Sequence, residues 1–162
     1  MQALTPGGEG PASIFSLQLL DRQVAGVPDG AMQAHTRALI AAATFAFVTQ
    51  KKVAGLYDHT QGRDLRVAAE SRGDQVQGVD AERGGKFGGT LPEILDAKTA
   101  IYISMERDGE HGFKGYDRAS KTFFTARVEG GVVQVFDHTA ETWHAFDVQD
   151  AAAAQSYHRA AT

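Results

Sequence analysis

Two short stretches of the chain repeat an aromatic residue followed by Asp, His and Thr. The first runs from Tyr57 to Thr60 and the second from Phe136 to Thr139. Histidine rings and carboxylates are metal ligands and acid–base groups, so two Asp-His pairs could form a metal site or a catalytic pair if the fold brings them together. The same repetition also suits a repeated structural unit. The rest of the sequence has to decide between these two hypotheses.

An Asp preceded by an apolar or aromatic residue marks the end of a predicted hairpin strand at five positions, and only the Asp is common to all five. The next residue is His in the first and last, but Ala or Arg in the others. A metal or catalytic site would need the His. An Asp that ends a strand, by contrast, can accept backbone N–H hydrogen bonds and form a turn without it. We therefore predict a surface role for His59 and His138 and a turn role for the five aspartates, which are Asp58, Asp80, Asp96, Asp117 and Asp137.

Other patterns of catalytic or metal-binding residues are weak or missing. Asp58, Thr60 and Asp64 offer oxygens around Gly62, but a calcium loop needs more carboxylates and a terminal bidentate Glu. No two histidines have the spacing of a metal enzyme, and the sequence has no G-x-S-x-G motif, no phosphate-binding loop and no Cys. We predict no metal and no cofactor, and we favour a non-enzymatic role.

Aromatic residues gather beside the Asp turns, and Phe146 lies near the last of them. They could line one end of a barrel as the mouth of a ligand site, or they could pack across strands and over glycines. We favour packing, and we retain six candidate binding residues, which are His59, His138, Tyr57, Tyr116, Phe136 and Trp143.

Composition narrows the class of protein. The 162 residues are 43% hydrophobic and 22% charged, which is typical of a globular domain with a real core. The net charge of -4 and the lack of a basic block argue against a nucleic-acid binder. The longest apolar run, Ala38 to Val48, is shorter than the roughly 18 to 20 residues of a membrane span. With no signal-like start and no Cys, we expect a cytoplasmic protein and no membrane partner.

The N-terminal part predicts a flexible tail and a helix. Residues 1–12 are rich in Gly and Pro and are expected to be a flexible tail. Ser13 can cap a helix, and Gly26 and Pro28 end it. Its apolar residues are spaced three or four apart, as one helical face requires, and they are Ile14, Leu17, Leu20 and Val24.

A second helix is predicted from about Gly30 to Gln50, capped by Asp29. It is apolar nearly all round between Ala38 and Val48, so it needs cover on more than one side, from the sheet or from a partner. Its last residues, TFAFVT, alternate in polarity and could instead form a strand.

From Lys51 onward the polarity alternates with a period of two, which predicts half-buried strands. Turn signals separate the strands at Gly73-Asp74, Asp108-Gly109 and Gly130-Gly131, and the aspartates recur about every twenty residues, as repeated hairpins require. We predict an α+β, mainly β fold, with two N-terminal helices followed by an antiparallel up-and-down meander of about eight or nine short strands. Such a sheet is strongly curved or closes into a barrel.

The glycine-rich unit after Asp80 is expected to form an irregular or edge region. One domain is expected over residues 13–150, with helices at 13–50, the meander at 51–148 and a C-terminal tail at 151–162.

The first functional hypothesis is a non-catalytic scaffold that self-associates, because the sequence has few catalytic signals and an apolar helix that needs cover. A barrel that binds a small apolar ligand is the alternative, and a small enzyme using His59, His138 or His144 with a carboxylate ranks last. The predicted lining of a ligand cavity is Leu65, Val67, Ile101, Ile103, Phe124 and Val135.

Overall fold

The computed structural model describes residues 30–150, which form one helix and eleven strand segments. The first predicted helix and both predicted tails lie outside these residues. The described elements are α1 (Ala34–Thr49), β1 (Val53–Asp58), β2 (Arg63–Leu65), β3 (Val67–Arg72), β4 (Gln75–Asp80), β5 (Gly85–Thr90), β6 (Glu93–Asp96), β7 (Ile101–Arg107), β8 (Gly112–Asp117), β9 (Thr122–Glu129), β10 (Val132–Asp137) and β11 (Thr142–Asp150).

The strands form a closed antiparallel barrel. From β3 to β11 each strand pairs with the next along the chain, and β11 returns to pair with β1, where Phe146 lies opposite Asp58 and Val148 opposite Leu56. The segments β2 and β3 both pair with β1 on either side of Arg66, so they act as one strand of a ten-strand barrel. The mainly β prediction is confirmed, and of its two forms the closed barrel is the one observed.

The predicted strand number was too low. The glycine-rich unit after Asp80 forms two regular strands, β5 and β6, and β5 pairs with β4 over six residues. The prediction of an irregular or edge region was wrong because closure of the barrel gives every strand a partner on both sides. Backbone pairing thus outweighed the low strand propensity of glycine.

Helix α1 lies inside the barrel. Its residues from Thr36 to Phe47 are all buried, and it contacts strands on several sides, namely β1, β3, β4, β8, β9, β10 and β11. The cover that the apolar helix needs therefore comes from its own sheet. The helix is slim enough for this position because five of its buried residues are alanines, which are Ala38, Ala41, Ala42, Ala43 and Ala46.

The limits of this helix differ from the prediction. It begins at Ala34, and Gln33 occupies the capping position without a side-chain hydrogen bond, so Asp29 is not its cap. The alternative strand at TFAFVT was wrong, because these residues remain helical to Thr49. The described residues contain this one helix where the sequence predicted two helices before the sheet.

The helix runs from one end of the barrel to the other. At its start, the backbone N–H of Met32 donates to Asp137 Oδ2 at 2.9 Å, and the Thr122 hydroxyl donates to the Gly30 carbonyl. At its end, the N–H of Gly73 donates to Gln50 Oε1 at 3.2 Å. We call the end that holds the five aspartates the Asp rim. The helix therefore enters at the Asp rim and leaves at the opposite, hairpin-turn end.

The inward side chains pack on the helix rather than around an open cavity. Where the wall lies farther from α1, large inward side chains such as Phe87, Ile94 and Met105 fill the space inside it. Ile101 is only partly buried at the Asp rim. The other five residues predicted to line a ligand cavity belong to the same core, and they are Leu65, Val67, Ile103, Phe124 and Val135.

The described part of the chain has no helix with the length and apolarity needed to cross a membrane.

Gly115 tests how tightly the barrel wall is packed. A Cβ at this position would lie 1.9 Å from the Ser104 carbonyl oxygen and 2.6 Å from Phe124 Cζ, so the wall would have to shift. We expect Gly115→Ala to lower the free energy of unfolding by about 1 to 3 kcal/mol. Gly131→Ala is the control, because a Cβ there meets no atom within 4 Å. Equal urea midpoints for both variants would contradict this packing.

Candidate functional site

The five aspartates each end a strand and turn their side chains into the Asp rim. All are buried, with exposed fractions between 0 and 3%. Each carboxylate accepts a hydrogen bond from the backbone N–H two residues further on. The donors and distances are Thr60 at 2.8 Å, Glu82 at 3.0 Å, Lys98 at 3.1 Å, Ala119 at 3.1 Å and Thr139 at 2.8 Å. Each carboxylate is thus held by the turn that it begins.

Arg83 joins two neighbouring turns of this rim. Its Nε lies 2.9 Å from Asp80 Oδ2, and its Nη2 lies 3.1 Å from Asp96 Oδ2. The Arg83 side chain is 18% exposed and the two carboxylates are almost fully buried, so this is a largely desolvated, charge-assisted bridge. The turns that follow β4 and β6 are held together by this guanidinium.

The helix supplies a second guanidinium to the rim. Arg37 donates from Nη1 to the Met32 carbonyl at 2.9 Å and faces the carboxylates of Asp58 and Asp137. Burial lowers the pKa of Arg37, and the two carboxylates act in the opposite direction. The positive end of the helix dipole also points at this rim, where negative charge is favourable.

Two imidazoles complete the rim, of which His144 is buried and His35 is partly buried. His144 Nδ1 lies 2.7 Å from Thr60 Oγ1, and His35 lies on the first turn of α1 near Arg83. Burial lowers the pKa of both histidines, and the nearby guanidiniums, Arg83 for His35 and Arg37 for His144, lower it further. Both rings are therefore held toward the neutral form.

The two Asp-His pairs share a rim, but their histidines do not meet. Strand β11 separates the turn after β1 from the turn after β10. His59 points outward, with Nε2 3.1 Å from Asp147 Oδ2 and its ring edge-on to Tyr57. His138 also points outward, with Nε2 2.9 Å from Thr125 Oγ1 and its ring edge-on to Phe136.

Within residues 30–150 there is no group of three or more His, Asp or Glu side chains that could hold a metal ion. His111 lies in the turn before β8.

A row of aromatic side chains crosses the outer wall close to the Asp rim. We call it the outer aromatic row, and it comprises Tyr102, Tyr116, Phe123, Phe136 and Trp143 on strands β7 to β11. Tyr116 and Phe123 have ring centroids 4.7 Å apart, and those of Phe136 and Trp143 are 5.0 Å apart. The His138 ring lies against the Phe136 ring. The backbone N–H of His138 donates to the Phe123 carbonyl.

A shallow groove of about 640 Å³ lies beside the middle of this row, at Tyr116 and Phe123. Its walls include Lys114, Tyr116, Phe123, Thr125 and His138. Gly115, which has no side chain, lies beneath the groove. The groove is therefore a depression in the outer face of the sheet and not an opening into the core.

The structure separates the six candidate binding residues into two groups. Tyr116, Phe136, Trp143 and His138 lie at the row. Tyr57 and His59 lie beyond it on the β1 side, next to Asp147. Phe146 is fully buried in the core instead.

Sequence reasoning missed Tyr102 and Phe123 as candidates. Both occupy outward positions in their strands, and they are 48% and 64% exposed. The available signal was the alternation itself, because an aromatic residue at an outward position leaves apolar area in solvent.

No family model, no curated protein sequence and no solved structure matches this chain. The candidate site therefore rests on its own geometry.

Arg83 is expected to stabilise the Asp rim. Replacing it with Gln leaves the buried carboxylates of Asp80 and Asp96 without their shared counter-charge, and we expect a loss of about 3 kcal/mol in the free energy of unfolding. Arg66→Gln is the matched control, since Arg66 pairs with Glu82 but is 74% exposed, and it should lose less than about 1 kcal/mol. Similar urea midpoints for the two variants would argue against a desolvated bridge.

The two histidines of the rim are expected to make stability depend on pH. Their pKa values are lowered below 6.5 in the folded protein, so the unfolded chain binds more protons near pH 6. The free energy of unfolding should then be constant above about pH 7.5 and fall as the pH drops through about 6.5, by at most about 1.4 kcal/mol per pH unit for each histidine.

Urea denaturation at about pH 8 and pH 5.5 measures this dependence. His35→Asn and His144→Asn should each flatten it, whereas His111→Asn, in an exposed turn, should not. If all three variants keep the wild-type difference in the free energy of unfolding between the two pH values, His35 and His144 do not cause the pH dependence.

Proposed function

We propose that this protein is a non-catalytic scaffold that binds other copies of itself through the outer aromatic row. The observation that carries the proposal is the exposure of large apolar side chains along one part of the outer wall. Phe123, Tyr102 and Trp143 are 64%, 48% and 47% exposed, and they lie on every second strand of this part of the wall. Contiguous exposed apolar area of this kind is typical of interaction surfaces.

The interior of the barrel favours an outer binding surface. Helix α1 and the inward side chains fill the lumen, so a partner has to bind from outside. The carboxylates considered as catalytic or metal-binding groups accept hydrogen bonds from their own turns. They also contact Arg83 and the backbone at the start of the helix. The side chains of the rim are therefore used for structure.

The chemistry of the row favours a second copy over a strongly charged partner. Charged residues beside it form ion pairs, Glu106 with Lys114 at 3.7 Å and Glu93 with Arg118 at 2.8 Å, so these charges do not give the row an excess of one sign. A closed barrel offers no strand edge for pairing, so association has to use side chains on the sheet face. An apolar face that contacts the same face of another copy gives a closed twofold dimer.

A small apolar ligand in the groove is the second candidate. The groove volume of about 640 Å³ is within the range of small-molecule sites. This alternative predicts a monomer at every concentration, whereas the scaffold hypothesis predicts association.

Sedimentation equilibrium over a wide concentration range tests the scaffold hypothesis. We expect the average mass of the wild-type chain to rise toward that of a dimer, and we expect Phe123→Lys and Trp143→Lys to weaken association about tenfold or more, because each places a charge in an apolar contact.

Val79→Lys is the matched control. Val79 is 44% exposed and lies on β4, five strands from the row centre at β9 and so on the opposite wall. A monomeric wild-type chain would contradict the proposed function, and so would equal effects of all three substitutions.

A further inference from the structure

The outer aromatic row is too small to hold a dimer together by itself. Its three most exposed residues are about half exposed, and an aromatic side chain can bury roughly 200 Å², so they offer about 300 Å². A specific, stable interface needs about 800 Å² from each partner. A dimer that forms here therefore needs a further element that covers the row.

The position of Gly30 indicates where such an element could come from. The Gly30 carbonyl accepts a hydrogen bond from Thr122, and Gly30 lies against the side chain of Thr139. Thr122 is the neighbour of Phe123 in sequence, and Thr139 is the neighbour of His138. The 29 residues that precede Gly30 thus join the barrel beside the middle of the row.

These preceding residues include an apolar segment of suitable length. The sequence predicts a helix from Ser13 to Val24 with an apolar face, and twelve helical residues span about 18 Å. The row crosses five strands, and four strand spacings of about 4.8 Å give about 19 Å. A helix laid across the strands would match the row from Tyr102 to Trp143.

We propose that the segment from Ser13 to Val24 of one copy lies across the outer aromatic row of a second copy, and that reciprocal exchange closes a twofold dimer. This inference rests on the proposed self-association and names the part of the second copy that binds. Two barrels that approach each other through their rows place each segment beside the row of the other barrel. Exchange of identical elements is a low-cost route to dimers.

The length of the connection favours exchange over binding within one chain. Five residues, 25–29, join the segment to Gly30, and they span at most about 17 Å. A segment that returned to its own row would have to turn back over the Asp rim within this length. Its end would stay tethered near the middle of the row, whereas a segment from a neighbour can lie along the whole row. Short connections of this kind favour exchange between copies.

The first test changes the segment in the full-length chain. Leu20→Asp places a charge on the apolar face, and we expect it to raise the dimer dissociation constant at least about tenfold in sedimentation equilibrium. Arg22→Asp is the control, since it introduces the same side chain about 160° around the predicted helix from Leu20, and it should leave the constant unchanged. Unchanged association in Leu20→Asp would overturn the exchange while leaving the proposed function intact.

The second test locates the segment. The chain has no Cys, so Ser16→Cys can carry a single nitroxide label. Spin-labelled chain is mixed with isotope-labelled chain that has no nitroxide, and the amide signals of the isotope-labelled chain are recorded. We expect broadening at Tyr116, Phe123 and His138, and none at Val79 on the opposite wall.

The outcomes separate the two proposals. Broadening that occurs only when the nitroxide and the isotope are on the same chain would show that the segment binds its own row, and it would overturn the exchange. No broadening at the row in either sample would overturn it too. Failure of the proposed function is a different result, namely a wild-type chain that sediments as a monomer at all concentrations.

Discussion

The burial of helix α1 inside the barrel is the constraint on which the rest of the structure depends. About eight strands enclose a space that side chains can just fill, and ten enclose a wider one. The alanine-rich helix occupies that space, and strands that surround it bury the inner face of the sheet against it. The helix and the sheet therefore need each other, because neither can cover its apolar surface alone.

The Asp rim fixes the helix at its entrance. Five strand-ending carboxylates lie around the start of α1, where the helix dipole favours negative charge, and Asp137 accepts the backbone N–H of Met32. Arg37 and Arg83 supply the counter-charges from the helix and from a turn. The aspartates and arginines of the Asp rim, which are residue types common in catalytic sites, thus begin turns and hold the helix.

Because the lumen is filled, the proposed self-association uses the outer wall of the barrel. A filled barrel keeps few inner positions for a partner, and closure removes the strand edges. The outer wall is polar at most positions, but near the rim it carries the aromatic row, which contains three of the four exposed large hydrophobic residues within residues 30–150. The chain enters the barrel beside the same row, so the start of the helix and the outer aromatic row lie at one end of the barrel.

The sequence by itself determined the strand faces, most hairpin turns and the recurrence of the Asp turns. Local rules suffice for these, because alternation of polarity sets the inner and outer faces, as at Phe124 and Phe123, and because an Asp side chain reaches only its neighbouring backbone. The tertiary structure decided that the sheet closes, that α1 lies within it, and that Asp58 and Asp137 face one guanidinium while His59 and His138 point apart. Those features depend on contacts between residues far apart in the chain, and no local pattern specifies such contacts. The glycine-rich strand β5 shows this most directly, since only pairing with its neighbours makes it a strand.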